Sequence, residues 1–277
     1  MRRSRGDRQF LPPPRRPRYR GAVVNIAAGL TLEALRSHGV AAWPHYCDAL
    51  VVACRKAPPR FGTKGYGKIY RDVAKDPEWM ANSLIQNAQG EGEGSGHLWD
   101  LAASTPNPRI AAQVKAHAID ESRHSKAYVA MLDLTFPGLI DNNDLHDQLA
   151  SLSPGYSQRS PVKAHKGSAY ASAITLDDLI QMNIAEIRTL VHHILQRPML
   201  LGYCAPERRR RLTLLHDRLR LDEVRHIAYT AALIEQFAQR GEAGAVKRLM
   251  QERMSDFNAI TNEDLGRGDF ETDLEPL

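Results

Sequence analysis

Two short stretches carry residue types that bind metal ions at a spacing that suits the task. They are Asp120-Glu121-Ser122-Arg123-His124 and Asp222-Glu223-Val224-Arg225-His226, a single pattern, Asp-Glu-x-Arg-His, written twice. On a helix, a Glu and a His three positions apart lie on one face about a turn from each other, so both side chains can reach a common ion. One such pair arises easily by chance. Two pairs with the same flanking Asp and Arg point to duplication and to two halves of one site. In bundles that hold a pair of ions, two helices supply Glu-x-x-His and two more supply a single Glu. Two further helices are therefore expected, each with an isolated carboxylate on its buried face.

The elements that would position these groups follow from periodicity. A helix is expected from about Pro77 to Ser104, ended by Thr105-Pro106-Asn107-Pro108. Within it lies Gln89-Gly90-Glu91-Gly92-Glu93-Gly94-Ser95-Gly96-His97. Each of these glycines costs a helix about 1 kcal/mol against Ala, which implies close packing there. Glu91 shares the apolar stripe of Leu84, Ala88, Ser95 and Leu98, whereas Glu93 faces Gln86, Gln89, Gly96, His97 and Asp100, so periodicity favours Glu91.

The next helix, about Arg109 to Leu134, carries Glu121 and His124, with His117 and Tyr128 on the same face. These two are the candidate catalytic side chains beside the ions; their ordinary alternative is packing or support of a ligand. A long connection from Phe136-Pro137-Gly138 to about Thr175, with one short helix near Asp144 to Leu152, suits a crossover between two helical hairpins and a cover for a substrate entrance. Leu176 to Leu195 forms the third helix, with Glu186 in a stripe of Leu179, Met182, Leu190 and His193. A lone buried carboxylate costs several kcal/mol unless paired. The fourth runs from about Pro206 to Gln239 and presents His216, Leu219, Glu223, His226 and Thr230 on one face.

Around these four, apolar spacing centred on Leu30–Arg36 and Ala49–Arg55 indicates an accessory helical layer. Pro58, Pro59, Gly62, Gly65 and Gly67 mark a loop, and a last helix is expected at Gly244–Met254. No strand pattern is found, so the fold class is all-α. The domain reading is an Arg/Pro-rich leader over 1–22, one helical domain over 23–258 and an acidic tail over 259–277.

The inventory is one Glu from the first long helix, Glu121, His124, Glu186, Glu223 and His226. Carboxylates and imidazoles without thiolates suit iron or manganese rather than structural zinc. Four carboxylates balance two divalent cations, whereas without metal they would repel one another and take up protons. Asp120 and Asp222 are expected to accept the outer N–H of the opposite motif's histidine, with Arg123 and Arg225 neutralising them. His193 and the unused member of the Glu91/Glu93 pair are expected to support the ligands from behind.

The chain has 277 residues, 43% hydrophobic content and a net charge of +5. Residues 1–20 hold eight arginines against one aspartate, which leaves the remainder slightly acidic, so the charge does not mark a nucleic-acid binder. No apolar run has the length of a membrane span or a signal peptide, and the expected location is cytoplasmic. Three cysteines, Cys47, Cys54 and Cys204, make no disulfide framework.

Together these motifs resemble the ferritin-like di-iron carboxylate superfamily. The first hairpin is closest to the aldehyde-deformylating oxygenases, whose Glu-Gly-Glu and Glu-x-Arg-His are similar to Glu91-Gly92-Glu93 and Glu121-Ser122-Arg123-His124, with 28 residues between Glu93 and Glu121. In that family the second Glu is the ligand, and the resemblance therefore moves the expected ligand to Glu93. His117, one turn before Glu121, resembles the extra histidine of the arylamine N-oxygenases. The resemblance implies a ferritin-like four-helix bundle holding two Fe ions, or an Mn/Fe pair, with O2 as co-substrate. It also implies an oxygenase or oxidase acting on a small organic molecule by hydroxylation, N-oxygenation or C–C cleavage, supplied by an external electron donor. A homodimer is the expected assembly, and Arg208–Arg211 is the weaker candidate for docking an acidic carrier protein. The alternatives are a ferroxidase or iron-storage protein and a radical-generating subunit of a larger enzyme.

Overall fold

Prolines and side-chain caps set where the long helices begin. Asp76 caps α4 (Pro77–Ser104) by accepting the Glu78 N–H at 2.9 Å, with Pro77 in the first turn. Asn107 caps α5 (Pro108–Thr135) through the N–H groups of Arg109 and Ile110. Thr175 and Asp178 form a reciprocal capping box that opens α7 (Leu176–Tyr203). The computed structural model describes residues 25–37, 39, 43–139 and 143–264, and no strand occurs among them. The chain is all-α. The expected leader, and the tail beyond 264, lie outside the described residues.

Four long helices carry the candidate site. α4 packs along α5 as one hairpin, α7 packs along α8 (Arg209–Phe237) as the other, and α5 meets α8 between them. The short helix α6 (Asn143–Ser151) and the segment after it join the two hairpins. α1 (Ile26–Ser37), α2 (Pro44–Lys56) and α9 (Ala243–Asp264) form an outer layer on the second hairpin. α9 continues past the expected end at Met254 and takes in the start of the segment read as a tail.

That outer layer is fastened by buried polar contacts. The Tyr46 hydroxyl donates to Asn183 Oδ1 at 2.9 Å, and Asn183 Nδ2 donates to Thr230 Oγ1 at 2.8 Å, which joins α2, α7 and α8. Glu235, 2% exposed, accepts the Tyr46 N–H at 2.9 Å and bonds His45 at 2.8 Å, placing a carboxylate on the α2 N-terminus. Arg253 of α9 makes a two-pronged bond to Asp177 of α7, at 2.8 and 2.7 Å.

One stretch read as a loop is a helix. α3 (Lys64–Val73) includes both Gly65 and Gly67. Thr63 caps it by accepting the Tyr66 N–H at 3.1 Å, and Tyr66 and Tyr70 bury their rings against the second hairpin. Tertiary burial outweighs the glycine penalty here. No described helix is long and apolar enough to cross a membrane.

Candidate metal centre

Glu121 and His124 of α5 and Glu223 and His226 of α8 face one another across the helix pair, each at most 5% exposed. The two imidazoles present Nδ1 inward. His124 Nδ1 lies 3.2 Å from Glu121 Oε2 and 3.4 Å from Glu223 Oε1; His226 Nδ1 lies 3.2 Å from Glu121 Oε1 and 3.6 Å from Glu223 Oε2. Glu121 and Glu223 thus each place one oxygen near either imidazole.

The other two carboxylates divide between the ends. Glu91 of α4 approaches His124 Nδ1 at 3.8 Å, and Glu186 of α7 approaches His226 Nδ1 at 3.5 Å. Glu93, expected from the resemblance to be the α4 ligand, is exposed and bonded by Gln89 at 2.9 Å. This corrects the expectation: α4 brings Glu91 to the cluster, because its buried stripe runs through Leu84, Ala88, Ser95 and Leu98, and a helical residue two positions on points elsewhere.

Outside the carboxylates, the imidazole Nε2 atoms are held crosswise. His124 Nε2 faces Asp222 Oδ2 at 3.4 Å, and His226 Nε2 faces Asp120 Oδ2 at 3.3 Å. Arg123 and Arg225 each pair with both aspartates, and Arg218 adds a contact to Asp222 at 3.3 Å. These bonds fix each ring with its Nδ1 edge toward the centre.

The two ends are not equivalent. His117 enters the Glu186 end, with Nε2 at 2.7 Å from Glu121 Oε1 and 3.1 Å from Glu186 Oε1, and its Nδ1 meets the Tyr229 hydroxyl at 2.8 Å. The duplicated positions in the other motif are Leu219 for His117 and Ala127 for Tyr229. Sequence reasoning did not find Tyr229. Its signal was the single turn that separates it from His226. Tyr128 is buried with its hydroxyl 2.6 Å from His193 Nε2, and both lie one layer beyond the carboxylates.

Burial and mutual repulsion of like charges dominate the electrostatics of this cluster. Burial, then the charge of Glu121, pushes the Glu91 carboxyl well above the usual range, and burial with Glu186 does the same to Glu223. Burial acts to raise Glu121 and Glu186 too, but it is outweighed, at Glu121 by His124 and at Glu186 by bonds from Glu223 and the charge of His117. Each neighbouring pair of carboxylates thus has one member pushed up and the other held down. Glu223 Oε1 and His226 Nδ1 are buried with no hydrogen-bond partner. Cations would occupy both needs, and the all-oxygen-and-nitrogen donor set suits iron or manganese. His117, Glu121, Glu186 and His226 form one group of ligand atoms close enough to hold an ion, and Glu91, Glu121 and His124 form another.

A cleft of about 560 Å³ opens onto the cluster between α4 and α7. Glu91, Glu121, Glu186 and His117 form its floor. Tyr66, Tyr70, Trp79 and His192 close one end in mutual ring contact. Tyr170, from the connection between the hairpins, stands at the wall stacked on His97 with ring centres 3.9 Å apart. Gly90 and Gly94 line the cleft, and a Cβ at either would meet open space. The chain matches no protein-family model, no curated protein and no solved structure.

Proposed function

We propose that the chain is a ferritin-like bundle that holds two iron or manganese ions and uses O2, with electrons from an external donor, to oxidise a small organic molecule in the cleft. The observation that carries this reading is the convergence of the duplicated motif: both copies, with Glu91 and Glu186, meet in one cluster, and Glu91, Glu121 and Glu186 of that cluster line an open cleft. Glu121 and Glu223 would hold both ions, with Glu91 and His124 completing one seat and Glu186 and His226 the other. When bound, such a pair supplies the electrons and Lewis acidity that activate O2.

The chain's own groups supply the rest. Asp120 and Asp222 retain the Nε2 protons and keep each Nδ1 free to ligate. Arg123 and Arg225 offset the charge of those aspartates. His117, held by the Tyr229 hydroxyl at Nδ1, places Nε2 beside Glu121 and Glu186. The aromatic end of the cleft excludes water and seats an organic ring or chain. An iron-storage role needs no such cleft, which favours the oxygenase reading over the ferroxidase one.

The test is metal content after anaerobic loading with ferrous iron, compared between the wild type, Glu223→Ala and Glu93→Ala, followed by O2 uptake with a panel of small organic compounds. About two irons per chain are expected in the wild type and in Glu93→Ala, with a marked loss in Glu223→Ala. A wild-type protein that takes up no iron, or a Glu223→Ala protein that keeps all of it, overturns the reading. Iron oxidised far beyond two per chain without organic turnover would instead support storage, and a persistent tyrosyl signal would support the radical-generating role.

A further inference from the structure

Seven residues beyond the carboxylates, three of the four long helices carry a second buried polar group. Tyr128 follows Glu121 by seven on α5, His193 follows Glu186 by seven on α7, and His216 precedes Glu223 by seven on α8. Seven residues are two helical turns, about 10 Å along the axis. Only α4 breaks the layer, with Leu84 seven before Glu91. Tyr128 is 2%, His193 0% and His216 1% exposed.

These three side chains meet. The Tyr128 hydroxyl is bonded to His193 Nε2, and the His193 and His216 rings pack edge to face with centres 5.1 Å apart. Several polar atoms around them lack partners: His193 Nδ1, both nitrogens of His216, Gln196 Oε1 and Arg197 Nε on the next turn of α7, and Thr135 Oγ1 seven past Tyr128 on α5. An unsatisfied buried group costs about 1–3 kcal/mol, and a core built for packing alone would place Leu or Phe here, as α4 does. Internal water commonly satisfies such groups, with about three bonds each. The lane reaches the surface at the Arg197–Asp217 pair, 3.4 Å apart and partly exposed on both sides.

We propose that Tyr128, His193 and His216, joined by internal water, form a proton lane from solvent at the Arg197–Asp217 pair to the carboxylate cluster. This rests on the oxygenase reading above, because reduction of O2 consumes protons at the cluster. A proton taken from surface water by one nitrogen of His216 leaves from its other nitrogen through water to His193. His193 passes one on to Tyr128, whose hydroxyl proton leaves through water in the cleft that Tyr128 lines together with Glu91 and Glu121, and one of those carboxylates accepts it. Each link gives one proton and receives one, and no electron moves. Burial holds His193 well below the usual imidazole range, and burial, then Arg197, brings His216 down to about 4. Both rings are therefore neutral, with one N–H to give and one lone pair to accept. Neither histidine lines the cleft, whereas Tyr128 does, so the lane starts away from the cleft and ends at its wall.

The experiment uses the full-length metal-free protein labelled with 15N-histidine, and NMR measures exchange of the His193 ring N–H with water. Exchange about a hundredfold faster than the backbone amides of Ile187 and Leu190 is expected, and a fall of about tenfold in His216→Leu with those amides unchanged. His216→Phe serves as the second variant should the first be unstable. Ring exchange as slow as the amides, or indifferent to both substitutions, overturns the lane. Because no metal is used, that outcome is independent of whether the cluster binds iron.

Discussion

Asp222 is 1% exposed, yet it touches three arginines and an imidazole and none of the inward-facing atoms of the cluster. Its contribution is therefore to the orientation and basicity of His124. Asp222→Asn should leave the helices folded and weaken metal binding about ten- to hundredfold, measured by competition with a chelator. Glu93→Gln should leave that affinity unchanged. The choice between Glu91 and Glu93 shows what single residues disclose in a sequence. The 3.6-residue stripe named Glu91, because burial of Leu84 and Ala88 fixes which way the helix faces; the resemblance, which rests on the Glu-Gly-Glu string alone, named Glu93. Tyr229 was not legible because a phenol one turn past a histidine is ordinary until a partner from another helix reaches it. At Glu235, burial would raise the carboxyl, but bonds from His45 and the Tyr46 N–H outweigh it and hold it below the usual range. A lowered carboxyl stabilises the fold above its unfolded-state value, and that stability is lost as pH falls through its folded value. Glu235→Gln should thus cost about 1.5–3 kcal/mol at pH 7, by denaturant unfolding, and the difference from wild type should shrink toward pH 3.

At the scale of elements, the glycines of α4 divide by what each faces. A Cβ at Gly92 would collide with the Leu152 carbonyl, so the connection between the hairpins can lie against α4 only at a glycine. Ser153 beside it bonds the Ser122 carbonyl at 2.6 Å, the Tyr156 ring stacks on Trp99, and Asp100 receives His165 through both its backbone N–H and its Nδ1, each at 2.8 Å. Gly92→Ala should destabilise the protein by about 1–3 kcal/mol, whereas Gly96→Ala, with open space at its Cβ, should stabilise it by about 0.5–1 kcal/mol. Thermal unfolding of the two variants checks the sign of each. The glycine run was visible in the sequence as a cost without a cause. Its cause, a carbonyl sixty positions away and a cleft wall, depends on how helices approach one another. For the same reason the four long helices were legible, since their stripes and caps are local, while α3 was not: its glycines read as a turn, and only burial of Tyr66 and Tyr70 against α7 makes it a helix.

Taken whole, the molecule brings four carboxylates from four helices into one layer of its core, where protons and cations would compete for them. Ligand that binds only the folded state adds about 2.7 kcal/mol of stability at a hundredfold excess over Kd. For a chain of this size that corresponds to a rise of about 5–10 °C in Tm on loading with ferrous or manganous ion. Addition of a chelator should reverse it, and Asp222→Asn should show a smaller rise. The sequence announced this layer through its repeat, and the repeat also suggested two matching halves. The structure breaks the match at His117 of the first copy, where the second has Leu219, and at Tyr229 of the second, where the first has Ala127. His117 and Tyr229 meet at the Glu186 end and give that half of the cluster an additional nitrogen and a bonded phenol, whereas their counterparts are hydrocarbon. Two such seats cannot have the same affinity, so occupancy should be ordered: the His117 half fills first, and a calorimetric titration resolves two steps that merge toward one when His117 is replaced by leucine.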